Sequence, residues 1–217
     1  MPAKVIFLMA DYGHDPTETA IPWQVFQTAG LEVSFATEKG QSPVCDNKML
    51  SGWTGTLLGA NKAARNAYEA LSTTSPSFQK PLAWQDASFT LEDYDLVFLP
   101  GGHEKGVRQI IDSSRVHELL ARYFSLTKKP SQKALAAICH GVQVLAMASE
   151  SDGRSVLHDV KTTALPAFME QGIFHATKLF LGDYYKTYGA GTDSVEGFVK
   201  ERLADKGQFA NSISPRP

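Results

Sequence analysis

Short strand-like apolar runs, each followed by a polar turn and a helix-spaced segment, restrict this chain more than any other feature. The runs are "KVIFLMA" (Lys4–Ala10), "LEVSFATE" (Leu31–Glu38), "YDLVFLPGG" (Tyr94–Gly102) and "KALAAICHG" (Lys133–Gly141). Continuous apolar strands of this length suit burial on both faces. Between and after them, Thr19–Gly30, Asn61–Leu71, Ser114–Leu126 and Val142–Ser149 have helical spacing. Pro22 is expected in the first turn of its helix, and Ser113 or Ser114 as an N-cap. A further strand is predicted from Lys161, turning helical near Pro166, and a helix over Ser194–Asp205 capped by Ser194. Alternating strands and helices predict an α/β fold: a parallel sheet sandwiched by helices, with ligands beyond the carboxyl ends of the strands.

The chain reads as a single domain over residues 1–217, with a Gly-, Ser- and Thr-rich cap-like insertion at about 40–81. With 43% hydrophobic and 20% charged residues it has an ordinary globular composition. A net charge of −2 gives no electrostatic case for nucleic acid or an anionic membrane. No apolar run approaches the ~20 residues that cross a bilayer. The first strand is too short for a signal peptide, so a cytoplasmic location is expected. In that compartment Cys45 and Cys139 stay thiols.

Three loops fall at the expected ligand edge: "DYGHDPTE", "PGGHEKG" and "CHG". Cys139 lies between "ALAAI" and "VQVLAMA", where a sharp strand-to-helix turn projects a side chain out of the sheet edge, as in a nucleophile elbow. Gly141 gives the turn room. The N–H groups of the next helix are expected to favour a thiolate. A buried structural cysteine is the plain alternative. His140, adjacent in sequence, is a candidate base. Cys45 reads as a packed thiol.

The chain resembles the ThiJ/PfpI superfamily, which has the class I glutamine amidotransferase-like, flavodoxin-like fold. The matching stretches are "KVIFLMA", "ETAIPWQVFQTAGLEVSFATEKG", "YDLVFLPGGHEKG", "ALAAICHGVQVLA" and "KTTALPAFMEQ". It looks most similar to the heat-shock glyoxalase III branch, whose members carry an insertion where "MLSGWTGTLLGANKAARNAYEAL" lies. The resemblance implies Cys139 as nucleophile, His140 as the base beside it, and Glu18 as a carboxylic acid reaching the sulfur. It implies Glu170 as the acid orienting His140, with Asp183 and Glu150 as weaker substitutes. It makes the N–H groups of Gly102 and His140 an oxyanion hole. Gly101 and His103 stand where they can touch substrate, with a structural loop histidine the equal alternative for His103. Ala164 stands where smaller relatives place a histidine, and no late His-x-Glu pair follows Cys139, which argues against glutamine hydrolysis. The C-terminus stops short of the further strand and helix of relatives.

The implied activity is glutathione-independent conversion of a 2-oxoaldehyde such as methylglyoxal to a 2-hydroxy acid. Cys139 would form a hemithioacetal, and Glu18 or His140 would move a proton between neighbouring carbons. No metal and no other cofactor is implied, and the sequence holds no metal-ligand cluster of workable spacing. A small aldehyde is the expected partner, and a homodimer the expected assembly. Two alternatives use the same cysteine. One is a redox-sensing or holdase stress protein. The other is a hydrolase or lyase of a specialised pathway, with the insertion and "LGDYYKTYG" (Leu181–Gly189) lining a larger pocket.

Overall fold

A computed structural model describes residues 1–211; the predicted short C-terminal end at Pro217 lies outside the described residues. Five parallel strands form the central sheet. In chain order these are β1 (Lys4–Leu8), β3 (Glu32–Thr37), β5 (Leu82–Ala83), β6 (Leu96–Leu99) and β7 (Ala134–Ala137), in spatial order β5-β3-β1-β6-β7. Two short strands, β2 (Tyr12–His14) and β4 (Val44–Cys45), pair separately. Side chains alternate along β1, so Val5 and Phe7 face one core and Ile6 and Leu8 the other. Phe7 pairs in register with Phe35 and Phe98, and the ring centroids lie 4.9 and 4.7 Å apart. Each fully buried side chain of this kind contributes about 1.5–3 kcal/mol.

The first core is closed by α1 (Pro16–Thr28), α3 (Lys62–Thr74) and α4 (Pro76–Gln79), through Ala20, Trp23, Tyr68, Leu71 and Phe78. The short α2 (Gly52–Leu57) precedes α3 and α4 in the insertion. The second core is closed by α5 (Arg108–Ile111), α6 (Ser114–Ser125), α7 (Gly141–Met147) and α9 (Val195–Lys200). One helix, α8 (Ala167–Leu181), lies between them in sequence and leaves Phe168, Met169, Leu179 and Phe180 exposed. Among the described residues no helix is long and apolar enough to cross a membrane.

Several local readings change. Asp15, whose carboxylate accepts the Thr17 and Glu18 N–H groups at 2.7 and 3.1 Å, starts α1 earlier than expected. Pro22 therefore falls inside the helix rather than in its first turn. The strand predicted from Lys161 is only an isolated bridge between Thr162 and Phe209. The helix after Ser194 ends at Lys200, well before Asp205. The insertion lies largely against the sheet face: Tyr68 buries its ring there, and its hydroxyl accepts the Cys45 N–H at 3.0 Å and meets His14 Nε2 at 3.1 Å.

Candidate active site

The strand order reverses between β1 and β6, and the loops after β1, β6 and β7 meet at that seam. Cys139, just past β7, is the only non-glycine residue with positive φ (53°) among those described. Such a conformation is costly for a side-chain-bearing residue and recurs where function holds it. Gly141 makes the elbow possible, since a Cβ there would collide with the Leu99 carbonyl.

The expected thiolate is not favoured in the resting site. The N–H groups of Gly141, Val142 and Gln143 bond to Ile138, Cys139 and His140 carbonyls, leaving the His140 N–H as the backbone group that lowers the thiol's pKa. Burial, and then the Glu18 carboxyl, push Cys139 well above its ordinary value. Burial also pushes Glu18 up to about 8, aided by Asp15 and opposed by hydrogen bonds with Cys139 and the Gly101 N–H. Thiol and acid are therefore both neutral near pH 7. Once Glu18 holds its proton, its charge no longer opposes the sulfur.

Gly101 acts differently from expectation. Its N–H donates to Glu18 Oε2 at 3.0 Å, so it fixes the acid rather than contacting substrate. A Cβ on it would lie 2.6 Å from Glu18 Oε2 and 2.8 Å from Cys139 Cβ. Among the described residues, no backbone carbonyl accepts the N–H of Gly102 or of His140. The His140 N–H is directed to the Cys139 sulfur instead.

His140 Nδ1 lies 3.3 Å from Cys139 Sγ. Burial, with His103 and Lys186 nearby, lowers the imidazole to about 3, so the ring is neutral at rest. The orienting role expected of Glu170 is not seen. Its Oε1 meets Lys186 Nζ at 2.8 Å and its Oε2 accepts the Val195 N–H at 2.8 Å. Both partners of the ion pair are 4% exposed, and a buried ammonium demands such a carboxylate. Glu170 still lines the cavity beside Cys139. Asp183 binds Lys105 at 2.9 Å and Glu150 lies 3.8 Å from Lys128, both away from the sulfur.

His103 does enter the site. Its ring stacks on Tyr185 at 4.5 Å and meets Tyr184 edge-on at 4.6 Å, and its Nε2 is 3.6 Å from Asp46 Oδ2. Burial, with Lys48 nearby, lowers it to about 4. Two cavities meet at Cys139. One, of about 280 Å³, is bordered by His103, His140, Met169, Glu170 and Tyr185. The other, of about 300 Å³, is bordered by Glu18, Ile138, Val142 and Ala164. Leu165 lines both. Sequence reasoning missed Asp46 and Lys186 as individual residues. Both lie in segments flagged as pocket-lining, but nothing in their spacing singled them out.

A model of the family described as ThiJ/PfpI family-like matches residues 9–206. An uncharacterized protein of Schizosaccharomyces pombe is 33% identical over 172 residues, covering 79% of this chain and 62% of its own. The glutathione-independent glyoxalase hsp3101 of the same organism is 25% identical over 150 residues, 68% of this chain and 56% of its own. The chain thus spans only about 56–62% of the length of these relatives. Among solved structures, glyoxalase III from Candida albicans superposes with a TM-score of 0.66 at 16% identity, over 98% of this chain and 84% of that one. The Francisella tularensis Rapid Encystment Protein 24 kDa gives 0.63 at 16% identity, over 99% and 86%. At such identities these superpositions speak for the fold alone.

Proposed function

The chain belongs to the ThiJ/PfpI-like family, and from that premise we propose that it is a cofactor-independent enzyme converting a 2-oxoaldehyde such as methylglyoxal to a 2-hydroxy acid. The observation that carries this reading is the Glu18 carboxyl, held by the Gly101 N–H and hydrogen-bonded beside the thiol of a strained elbow. Cys139 gives its proton to His140 Nδ1 as the sulfur attacks the aldehyde carbon. The Gly102 N–H receives the developing oxyanion, a contribution of about 3–4 kcal/mol for a well-placed donor. Glu18, neutral below about pH 8, donates to the sulfur or to the hemithioacetal oxygen without adding a competing charge. A proton then passes from the aldehyde carbon to its neighbour through an enediol, and water releases the hydroxy acid from a thioester.

A relative named as a glutathione-independent glyoxalase supports the substrate class. The test is lactate formation from methylglyoxal without glutathione. Turnover by the native chain, lost in Cys139→Ala and in Glu18→Gln, is the expected result; no lactate from the native chain would overturn the reading.

A further inference from the structure

The isomerisation needs a base on the substrate side of the sulfur, and the two groups named above are poorly placed for it. Glu18 lines a different cavity from His103, and its carboxyl is fixed by the Gly101 N–H. His140 Nδ1 is engaged with the sulfur.

Another imidazole on that side has a carboxylate of its own. His103 lines the same cavity as Cys139 and His140. Its Nε2 is buried and has no hydrogen-bond partner among the described residues. The nearest carboxylate oxygen, Asp46 Oδ2 at 3.6 Å, is just beyond a hydrogen bond. Asp46 is 2% exposed and held in place: its Oδ1 accepts the Lys48 N–H at 3.0 Å and its Oδ2 accepts the Tyr184 hydroxyl. The His103 ring is clamped between Tyr184 and Tyr185, and its carbonyl accepts the Thr187 hydroxyl at 2.9 Å. A ring this constrained, with one nitrogen turned to a waiting carboxylate, has its other nitrogen, Nδ1, left for the cavity. Such bonds are often long in an empty site and tighten when substrate binds.

We propose that His103 is the catalytic base that carries the proton between the two substrate carbons, and that Asp46 and Tyr184 are its positioning residues. This rests on the glyoxalase reading. In the hemithioacetal, Nδ1 takes the hydrogen of the aldehyde-derived carbon as a proton. The C–H electron pair becomes the double bond to the neighbouring carbon, whose carbonyl pair moves to oxygen as an enediolate. The imidazolium, facing Asp46, returns the proton to that neighbouring carbon, while the hydroxyl proton passes to the enediolate oxygen. The first carbon is thereby oxidised to the thioester of Cys139 and the second reduced to an alcohol, with no outside oxidant or reductant. Water cleaves the thioester and restores the thiol.

The test uses the full chain with methylglyoxal deuterated at the aldehyde carbon, reading kcat, KM and deuterium at C2 of lactate. His103→Gln is expected to lower kcat about 100-fold or more with KM little changed, and to reduce label transfer to C2. Asp46→Asn and Tyr184→Phe should fall between native and His103→Gln in both readouts. Should His103→Gln fail to fold, these two variants carry the test. Native-like kcat and label transfer in the folded variants, or label transfer lost only in Glu18→Gln, overturns the role of His103 while leaving the glyoxalase reading intact. No lactate from the native chain removes both.

Discussion

Lys186 Nζ and Glu170 Oε1 lie 2.8 Å apart, each side chain only 4% exposed, and Glu170 lines the cavity beside Cys139. Glu170 also accepts the Val195 N–H, tying α8 to the start of α9. Removing the carboxylate leaves a buried ammonium with no counter-charge. Glu170→Gln is expected to lower unfolding stability by about 3–5 kcal/mol in urea titrations. The double variant Glu170→Met with Lys186→Met should recover most of that loss. If Glu170→Gln kept full stability while kcat collapsed, the carboxylate would be serving His140 instead.

Glu18 sets a pH dependence of stability. Its ordinary value of 4.5 rises to about 8 in the fold, so the unfolded chain ionises first. Between those values the native state holds the extra proton, and stability falls as pH rises, levelling off above about 8. The total is of order several kcal/mol. Glu18→Gln should lack this slope and exceed the native chain in stability at pH 8. Parallel melting curves for the two proteins from pH 5 to 9 would contradict the buried, neutral acid.

The same coupling governs thiol reactivity. At neutral pH Cys139 should be alkylated by iodoacetamide more slowly than a free thiol, because burial raises it. Above about pH 8 the ionised Glu18 opposes the thiolate, so the native rate should flatten while Glu18→Gln keeps rising. A native thiol faster than a free one at pH 7 would restore the activated thiolate that the elbow first suggested, and with it the redox-sensor alternative.

Gly101→Ala tests the seam from the other side. The added carbon would press on both Glu18 and the Cys139 Cβ. Turnover of methylglyoxal should fall at least 100-fold, with a stability loss of about 1–3 kcal/mol. Near-native turnover would mean the acid is not held where it is drawn.

Much of this architecture is legible in the sequence because periodicity reports burial. The β1, β3, β6 and β7 runs, the elbow at Cys139 and the caps Ser113 and Ser194 follow from local pattern and turn chemistry. What the sequence hides is set by neighbours distant in the chain. Nothing local tells that Lys161 lacks a strand partner, or that Lys186 takes the carboxylate of Glu170 away from His140. Pro22 misled because Asp15 is the stronger helix start, capping two N–H groups at once. Asp46 could not be singled out, since its place beside His103 depends on the insertion folding back against the sheet.

Glu18 and Cys139 sit more than half the chain apart in sequence, yet they meet only where β1 lies alongside β6 and β6 alongside β7. Neither can find the other until the parallel strands have zipped together, which is a slow, long-range event. A nascent or half-assembled chain therefore carries an ordinary cysteine and an ordinary glutamate. Their chemistry switches on only at maturity, so the same measurement that reads turnover also counts correctly folded molecules.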